Sequence, residues 1–352
     1  MARKTGKAKH GNKRKKKKGC LGRLIKWLII LLLIVAVLGF VYLKAELGNL
    51  SHYDIDKKQV CASEDLKDYR NIVVLGVDTR DMSNFSGSRT DSIIIVSINK
   101  KTNEMNLISV YRDTMLDIQD VGLDKVTHAF AYGGPERTIN TLNRNMDLNI
   151  EEYAALNFCT VQKIVDGVGG VDIEIQEDEI EQMNLYLPET ARYLKADYEP
   201  ITQAGKQHLD GVQAVTYSRI RHTEGGDYRR TERMRTVLMA VFNEVKHMNP
   251  AKIDKMMDEV LPEISTNMSP SDIIPLMVKL PFLDISDSIG WPYDKEGYIS
   301  PRTGVWYAVP ITLEQNVKQL HRKAFYQDDY VPSEEVVRIS GNIANTTGYY
   351  GN

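Results

Sequence analysis

Residues 71–78 read NIVVLGVD, a short β-branched run that ends on a charge, and the chain soon repeats the figure twice. SIIIVSIN (92–99) follows the loop NFSGSRTD (84–91), and MNLISVYRDT (105–114) follows the turn-forming KKTNE (100–104). Aliphatic runs of this length, bounded by turn residues, predict buried strands rather than helices. The second and third are predicted to pair as an antiparallel hairpin. Downstream the period changes. Helical patterns occupy Lys125–Tyr132 and, after Gly133-Gly134-Pro135, Glu136–Arg144, with the proline well placed for an early helical position. A strand near Tyr153–Phe158, a helix near Val161–Asp166 and a strand in GGVDIEI (169–175) continue the alternation. Arg230–Met248 reads as one long helix with Met234, Val237, Leu238, Val241, Phe242 and Val245 on its apolar face, and Ala251–Val260 and Ser269–Leu280 as two more. This order predicts an α/β fold with a mixed central sheet flanked by helices on both faces.

The N-terminus has a different composition. The first 26 residues hold twelve Lys and Arg and no acid, and Trp27–Leu43 (WLIILLLIVAVLGFVYL) is free of charge. With Leu24, Ile25 and the snorkelling stems of Arg23 and Lys26, the run reaches spanning length, and no small-x-small cleavage site follows it. The chain is therefore expected to carry a single transmembrane anchor at residues 27–43. Residues 1–26 would form a basic cytoplasmic tail, by the positive-inside rule, and everything after about Lys44 would lie outside the cell. Residues 44–69, polar and rich in acid and lysine, read as a stalk; 70–331 as the folded domain; and 332–352, rich in Gly and Asn, as a flexible tail.

Setting the twelve N-terminal positive charges apart from a net charge of −2 leaves −14 on the remainder. An acidic outer domain disfavours nucleic acid as a partner. Of the three cysteines, Cys61 and Cys159 fall on the outer side, where the compartment permits a disulfide and equally permits two small apolar residues.

Within that acidic domain, YSRIRHTEGGDYRRTERMR (217–235) holds six arginines and no lysine. A guanidinium grips two phosphate oxygens with a rigid fork, so pyrophosphate is a natural guest. Arg219 and Arg221 would point the same way on a strand, and Arg230 and Arg233 would share a face of a following helix. Glu224, Asp227 and Glu232 equally permit a salt-bridged surface. The strand ends add further charge. Asp78 ends the first strand, Arg89 and Asp91 open the second, and Arg112 and Asp113 close the third. If the first two strands are neighbours, Asp78 and Asp91 meet at one sheet edge, where two carboxylates and a diphosphate suit Mg²⁺; otherwise they cap loops. No G-x-S-x-G, P-loop or H-E-x-x-H sequence is present, and GVGGVD (167–172) fails the dinucleotide spacing and reads as a turn. His128 on a helical apolar face reads as a satisfied packing residue rather than a base.

Seven segments in order, VLGVDTR, GSRTDSI, ISVYRDT, THAFAYGGP, GVGGVDIEI, GKQHLDGVQAVTYSRIR and DYRRTERMR, resemble the LytR-CpsA-Psr family of cell-envelope phosphotransferases. The resemblance covers roughly residues 70–250 and agrees with the basic tail and single anchor. It implies a Gram-positive-type bacterium and a protein that moves a phosphoglycosyl polymer, such as teichoic acid or capsule, from an undecaprenyl-diphosphate carrier to a peptidoglycan acceptor at the outer face of the lipid bilayer. It matches Asp78 and Asp91 to metal-associated aspartates for Mg²⁺, with Mn²⁺ as a substitute. Arg89, Arg112, Arg219 and Arg221 match diphosphate-binding arginines, and Asp227 and Arg230 match a further pair at the site. Asp227 or Asp113 would orient or deprotonate the acceptor hydroxyl, and helices bearing Leu185, Leu187, Leu238 and Phe242 would line a lipid slot. The chain departs from the family pattern at Tyr111, where proline is frequent, and at Met234, where glutamine is frequent. A non-catalytic module that captures polyprenyl diphosphates and a diphosphate hydrolase are the rival readings.

Overall fold

The computed structural model describes residues 51–351 apart from 80, 83, 84 and 86. The predicted cytoplasmic tail and membrane anchor lie outside the described residues.

The run 71–78 forms β2 (Tyr69–Val77), which pairs antiparallel with β3 (Thr90–Asn99), itself antiparallel to β4 (Glu104–Val110). On its other side β2 runs parallel to β7 (Glu152–Leu156), and β4 runs parallel to β11 (Asp284–Trp291). The short strands β1 (Ser51–His52) and β10 (Ser265–Thr266) complete a seven-stranded mixed sheet in the order β1-β10-β7-β2-β3-β4-β11. Burial on both faces explains the unbroken aliphatic runs. Ile93 and Ile95 of β3 face one core, against Phe130, Ile139 and Leu142, whereas Ile94 and Ile98 face the other, against Leu238, Met239 and Phe242. Period-2 alternation thus feeds two apolar layers from one strand.

The first layer contains α1 (Val126–Met146), broken at Gly133 and Gly134 as the sequence predicts, together with α8 (Leu313–Phe325) and α9 (Glu334–Thr347). The second contains α5 (Gly226–His247). Beside it, a further cluster gathers α2 (Phe158–Val168), α4 (Gly211–Arg219) and α6 (Pro250–Val260) around the ribbon of β8 (Val171–Ile175) and β9 (Gly205–Leu209). The remaining helices are α3 (Glu177–Leu194) and α7 (Pro270–Lys279). Two further hairpins are β5 (Met115–Ile118) with β6 (Gly122–Lys125), and β12 (Lys295–Ile299) with β13 (Trp306–Pro310).

Four expectations are corrected. β8 stands outside the central sheet and pairs only with β9, because Val171, Ile173 and Ile175 are buried while Asp172 and Glu174 are exposed, the one-sided pattern of a ribbon. The expected stalk folds onto the domain from residue 51 onward: β1 joins the sheet, and Val60 and Leu66 are buried in the main core, each worth about 1.5–3 kcal/mol. The expected C-terminal tail is α9, whose Val336, Ile339 and Ile343 fill the same core, with Ser333 accepting the Val336 N–H at 3.2 Å as its N-cap. Its Gly and Asn residues obscured a helical i, i+3, i+7 stripe. Finally, Arg219 is the last residue of helix α4 and Arg221 lies in the loop beyond it, so the two do not share a strand face. Cys61 is a free thiol, so no disulfide joins it to Cys159.

Candidate active site

Antiparallel pairing of β2 with β3 brings Asp78 and Asp91 to one sheet edge, and the Asp78 N–H donates to the Arg89 carbonyl at 3.1 Å. The register slips by one residue between Gly76 and Val77, a bulge of the kind that re-aims side chains at a strand end. Asp91 is ion-paired to Nη1 of Arg112 at the end of β4, and Arg112 Nε is buried with no acceptor. Arg112 is held by its backbone, since its carbonyl accepts the Thr127 N–H at 3.1 Å. The adjacent Asp113 is ion-paired with Lys125 Nζ at 2.7 Å, with only 15% of its side chain exposed.

α5 enters the site end-on. Gly225, at φ +88°, caps it in the left-handed region, and Asp227 in its first turn is stabilised by the helix dipole. Asp227 Oδ1 lies 3.3 Å from Arg230 Nε and 3.7 Å from Arg221 Nε. Arg230, one turn into α5, is 2% exposed and retains two buried donors, Nε and Nη2, without acceptors. Burial holds its pKa below the ordinary arginine value, while Asp91 and Asp227 raise it and Arg221 and Arg112 lower it further. Those four groups are therefore close enough to act on one guanidinium, and Asp91, Arg112, Arg221, Asp227 and Arg230 form a single charged constellation.

The other arginines separate from it. Arg219 donates to Thr190 Oγ1 and Glu189 Oε1, both at 2.7 Å, and lies 5.5 Å over the Phe158 ring. Arg89 is exposed ahead of β3. Arg233 is a buried strut: it donates to Glu179 Oε1 at 2.8 Å, the Ile220 carbonyl at 3.1 Å and Thr223 Oγ1 at 2.5 Å, tying α5 to α3 and to the loop that carries Arg221. Arg235 ties α5 to β11 through the Ile289 carbonyl at 3.0 Å. Among the described residues no group of three or more His, Cys, Asp or Glu side chains gathers. Asp78 and Asp91 are thus a two-carboxylate set, the kind Mg²⁺ uses when substrate phosphates and water supply its remaining ligands.

Both carboxylates also line an apolar cleft between the sheet and α2 and α5, enclosing about 860 Å³ of space partly open to solvent. Val74, Ile94, Phe158, Val161, Leu238 and Val241 form most of its wall, and Met234 completes it. Of the four residues expected to line such a slot, only Leu238 does. Leu185 is 66% exposed on the outer side of α3, Leu187 packs with Ala191 and Val212, and Phe242 faces the second core layer. Met234 is informative here, because a thioether suits an apolar wall as no amide does.

Three further features join the site. Asp124 accepts from His128 Nδ1 at 2.9 Å and from the Tyr132 hydroxyl at 2.7 Å, which makes His128 the satisfied residue that the sequence suggested. Lys125 next to it anchors Asp113. Tyr111 and Tyr228, direct neighbours of Arg112 and Asp227, meet edge to face at 4.6 Å and hold the Lys295 ammonium 4.9 Å and 4.7 Å from their rings. Their adjacency to predicted site residues was the available signal; Lys295 carried none.

The charged constellation, with its orphaned guanidinium donors, shares Asp91 with the apolar cleft. The LytR_cpsA_psr family profile matches residues 39–286, and the chain belongs to that family. It is 27% identical over 334 residues, 90% of this chain and 98% of the relative, to the polyisoprenyl-teichoic acid–peptidoglycan teichoic acid transferase TagT of Bacillus subtilis. It is 28% identical over 254 residues to the corresponding TagU of Enterococcus faecalis, covering 68% of this chain and 75% of the relative. A solved structure of the Bacillus subtilis protein YwtF (TagT), described with bound octaprenyl pyrophosphate lipid, superimposes with a TM-score of 0.52 at 22% identity over 84% of this chain and 94% of that one, a likeness of fold.

Proposed function

We propose that the chain is a membrane-anchored phosphotransferase acting outside the cell, which moves a phosphoglycosyl polymer from an undecaprenyl-diphosphate carrier to peptidoglycan. One observation carries the reading: the unpartnered N–H donors of buried Arg230 sit in the same constellation as Asp91, which itself lines the apolar cleft. Orphaned buried donors cost about 1–3 kcal/mol each until an acceptor arrives, so the site is prepared for an anion. The names of its relatives, teichoic acid transferases, and the pyrophosphate lipid bound by one of them agree with that chemistry.

In this mechanism the prenyl chain lies along Val74, Ile94, Leu238 and Val241, and the diphosphate meets Arg112, Arg221 and Arg230. Arg219, over Phe158, and the exposed Arg89 would approach it from the rim. The acceptor hydroxyl attacks the polymer-bearing phosphorus. The new oxygen–phosphorus bond forms as the bond to the bridging oxygen breaks, and undecaprenyl phosphate leaves with that oxygen. The hydroxyl proton passes to Asp227 or to water. The guanidiniums stabilise charge that grows on the bridging and equatorial oxygens, the principal help a protein offers phosphoryl transfer. Asp78 and Asp91 would hold Mg²⁺ or Mn²⁺, which when bound supplies further positive charge against the diphosphate.

The test is reconstitution of the full-length chain with Mg²⁺, a labelled lipid-diphosphate glycan and a peptidoglycan oligomer. Label on the acceptor supports transfer. Free sugar phosphate would indicate a hydrolase, and intact lipid retained on the protein a binding module; either would replace the reading.

A further inference from the structure

A second depression lies beyond Tyr228, on the side formed by β12, β13, α8 and α9. Its volume is about 1150 Å³, just above the roughly 300–1,000 Å³ of a small-molecule site, and it is open to solvent, so a chain longer than one small molecule can enter it. All of these elements lie C-terminal to the residues that the family profile matches.

Its chemistry is specific. Trp306 is 40% exposed on β13, and its indole crosses Gly297 of β12 so closely that a Cβ there would stand 2.9 Å from Nε1. The glycine lets the ring lie flat on the strand and present a face. Tyr350 is 66% exposed on the same groove, and Tyr228 and Tyr293 add partly buried rings. Between the rings stand the carboxylates of Glu296 and Glu314 and the amides of Gln315 and Gln319. Aromatic faces interleaved with acceptors and amides match the apolar ring faces and the hydroxyl edges of sugars. The charge is selective as well. The ionised lining is Asp294, Glu296 and Glu314 against Lys295 alone, and that lysine is already held between Tyr111 and Tyr228. A polyanion is therefore repelled, whereas an uncharged or amine-bearing chain is not.

We propose that this groove binds the acceptor: an uncharged or amine-bearing oligosaccharide of the cell wall, and not the anionic polymer of the donor. The inference rests on the functional reading above and adds where the second substrate sits. Tyr228 belongs to the groove and follows Asp227 in α5, so a glycan that runs from Trp306 to Tyr228 stands next to Asp227. The tie is physical, since Lys295 of β12 is clamped by Tyr228 and by Tyr111 next to Arg112.

The test uses the full-length chain and three soluble probes: an N-acetylglucosamine hexamer, its deacetylated glucosamine counterpart, and polyphosphate. Within the described residues Trp306 is the only exposed tryptophan, Trp291 being fully buried. Fluorescence and calorimetry together are expected to show both hexamers binding, the amine form more tightly, with no competition from polyphosphate. Trp306→Ala should weaken both hexamers about fivefold or more. Glu296→Lys, at an exposed position, should weaken the amine form selectively and so controls for misfolding of the tryptophan variant. Neither change should alter binding of a polyprenyl diphosphate. Hexamer affinity unchanged in both variants, or displacement by polyphosphate, overturns the acceptor groove. Failure to bind polyprenyl diphosphate while the hexamers still bind at Trp306 would instead overturn the functional reading and leave the groove as a glycan site.

Discussion

Arg230 Nε lies 3.3 Å from Asp227 Oδ1 yet makes no hydrogen bond with it, so a guanidinium 2% exposed keeps two donors without acceptors. The contact has the distance of an ion pair and the wrong direction for a hydrogen bond. Such an arrangement is poor for stability and good for function, because the donors are desolvated, oriented and free. Arg230→Met should therefore cost little stability, since two of the lost donors satisfied no acceptor and the ion-pair partner left behind, Asp227, is 44% exposed and still faces Arg221. The same variant should lose transfer by roughly 10²–10³-fold, the loss seen when one preorganised donor is removed from a developing oxyanion. Urea melts and turnover of the labelled lipid read the two effects separately. A variant that is destabilised and still active would make Arg230 structural.

Arg233 makes the opposite prediction although it lies only one turn further along α5. It and Glu179 are 2% and 1% exposed, and every nitrogen of its fork has an acceptor. Glu179→Ala leaves a buried cation behind and should cost about 3–5 kcal/mol of unfolding free energy. Loss of that order with the diphosphate affinity of the surviving folded protein intact would separate the strut from the site.

These two arginines show what the sequence made legible. Type and spacing led to the expectation of an anion grip, and the strand ends to the sheet edge where Asp78, Asp91 and Arg112 do lie together, because an aliphatic run that stops at a charge stops there for solvent or a ligand. Burial was not legible. Arg230 and Arg233 are alike in the sequence, and only the crossing of α5 over the sheet decides that one keeps open donors and the other fills a gap between helices. The C-terminus was misread for a related reason. Val336, Ile339 and Ile343 carry a helical stripe, but the intervening Gly and Asn residues lower its propensity, and tertiary packing overrides that penalty.

Acid stability should expose the Asp124 cluster. Burial pushes this carboxyl up, but hydrogen bonds from His128, Tyr132 and the Lys125 N–H outweigh it and bring it down from 3.8 to about 2. A folded pKa below the unfolded one contributes stability that is complete above about pH 4 and is lost as the pH falls through about 2. With 15% of the side chain exposed, that contribution amounts to roughly 2 kcal/mol. Asp124→Asn should be less stable by about that amount at neutral pH, and the gap should narrow between pH 4 and pH 2 in urea titrations. A gap that stays constant over that range would assign the loss to packing.

The proton acceptor can be chosen between Asp113 and Asp227 by where each carboxylate already spends its charge. Asp113 is 15% exposed and ion-paired at 2.7 Å with Lys125, which is itself 18% exposed. Neutralising it strands a partly buried ammonium, so Asp113→Asn should lower the unfolding free energy measurably. Asp227 is 44% exposed at the first turn of α5, where the helix dipole favours its charge, and it faces both Arg221 and Arg230. Asp227→Asn should therefore cost less than about 1 kcal/mol in stability while slowing transfer by roughly 10²–10⁴-fold, the range for removal of a general base. Positioning alone predicts a smaller change. Transfer that survives in Asp227→Asn and is lost in a folded Asp113→Asn would reverse the assignment, since Lys125 would then be the group that releases Asp113 for the chemistry.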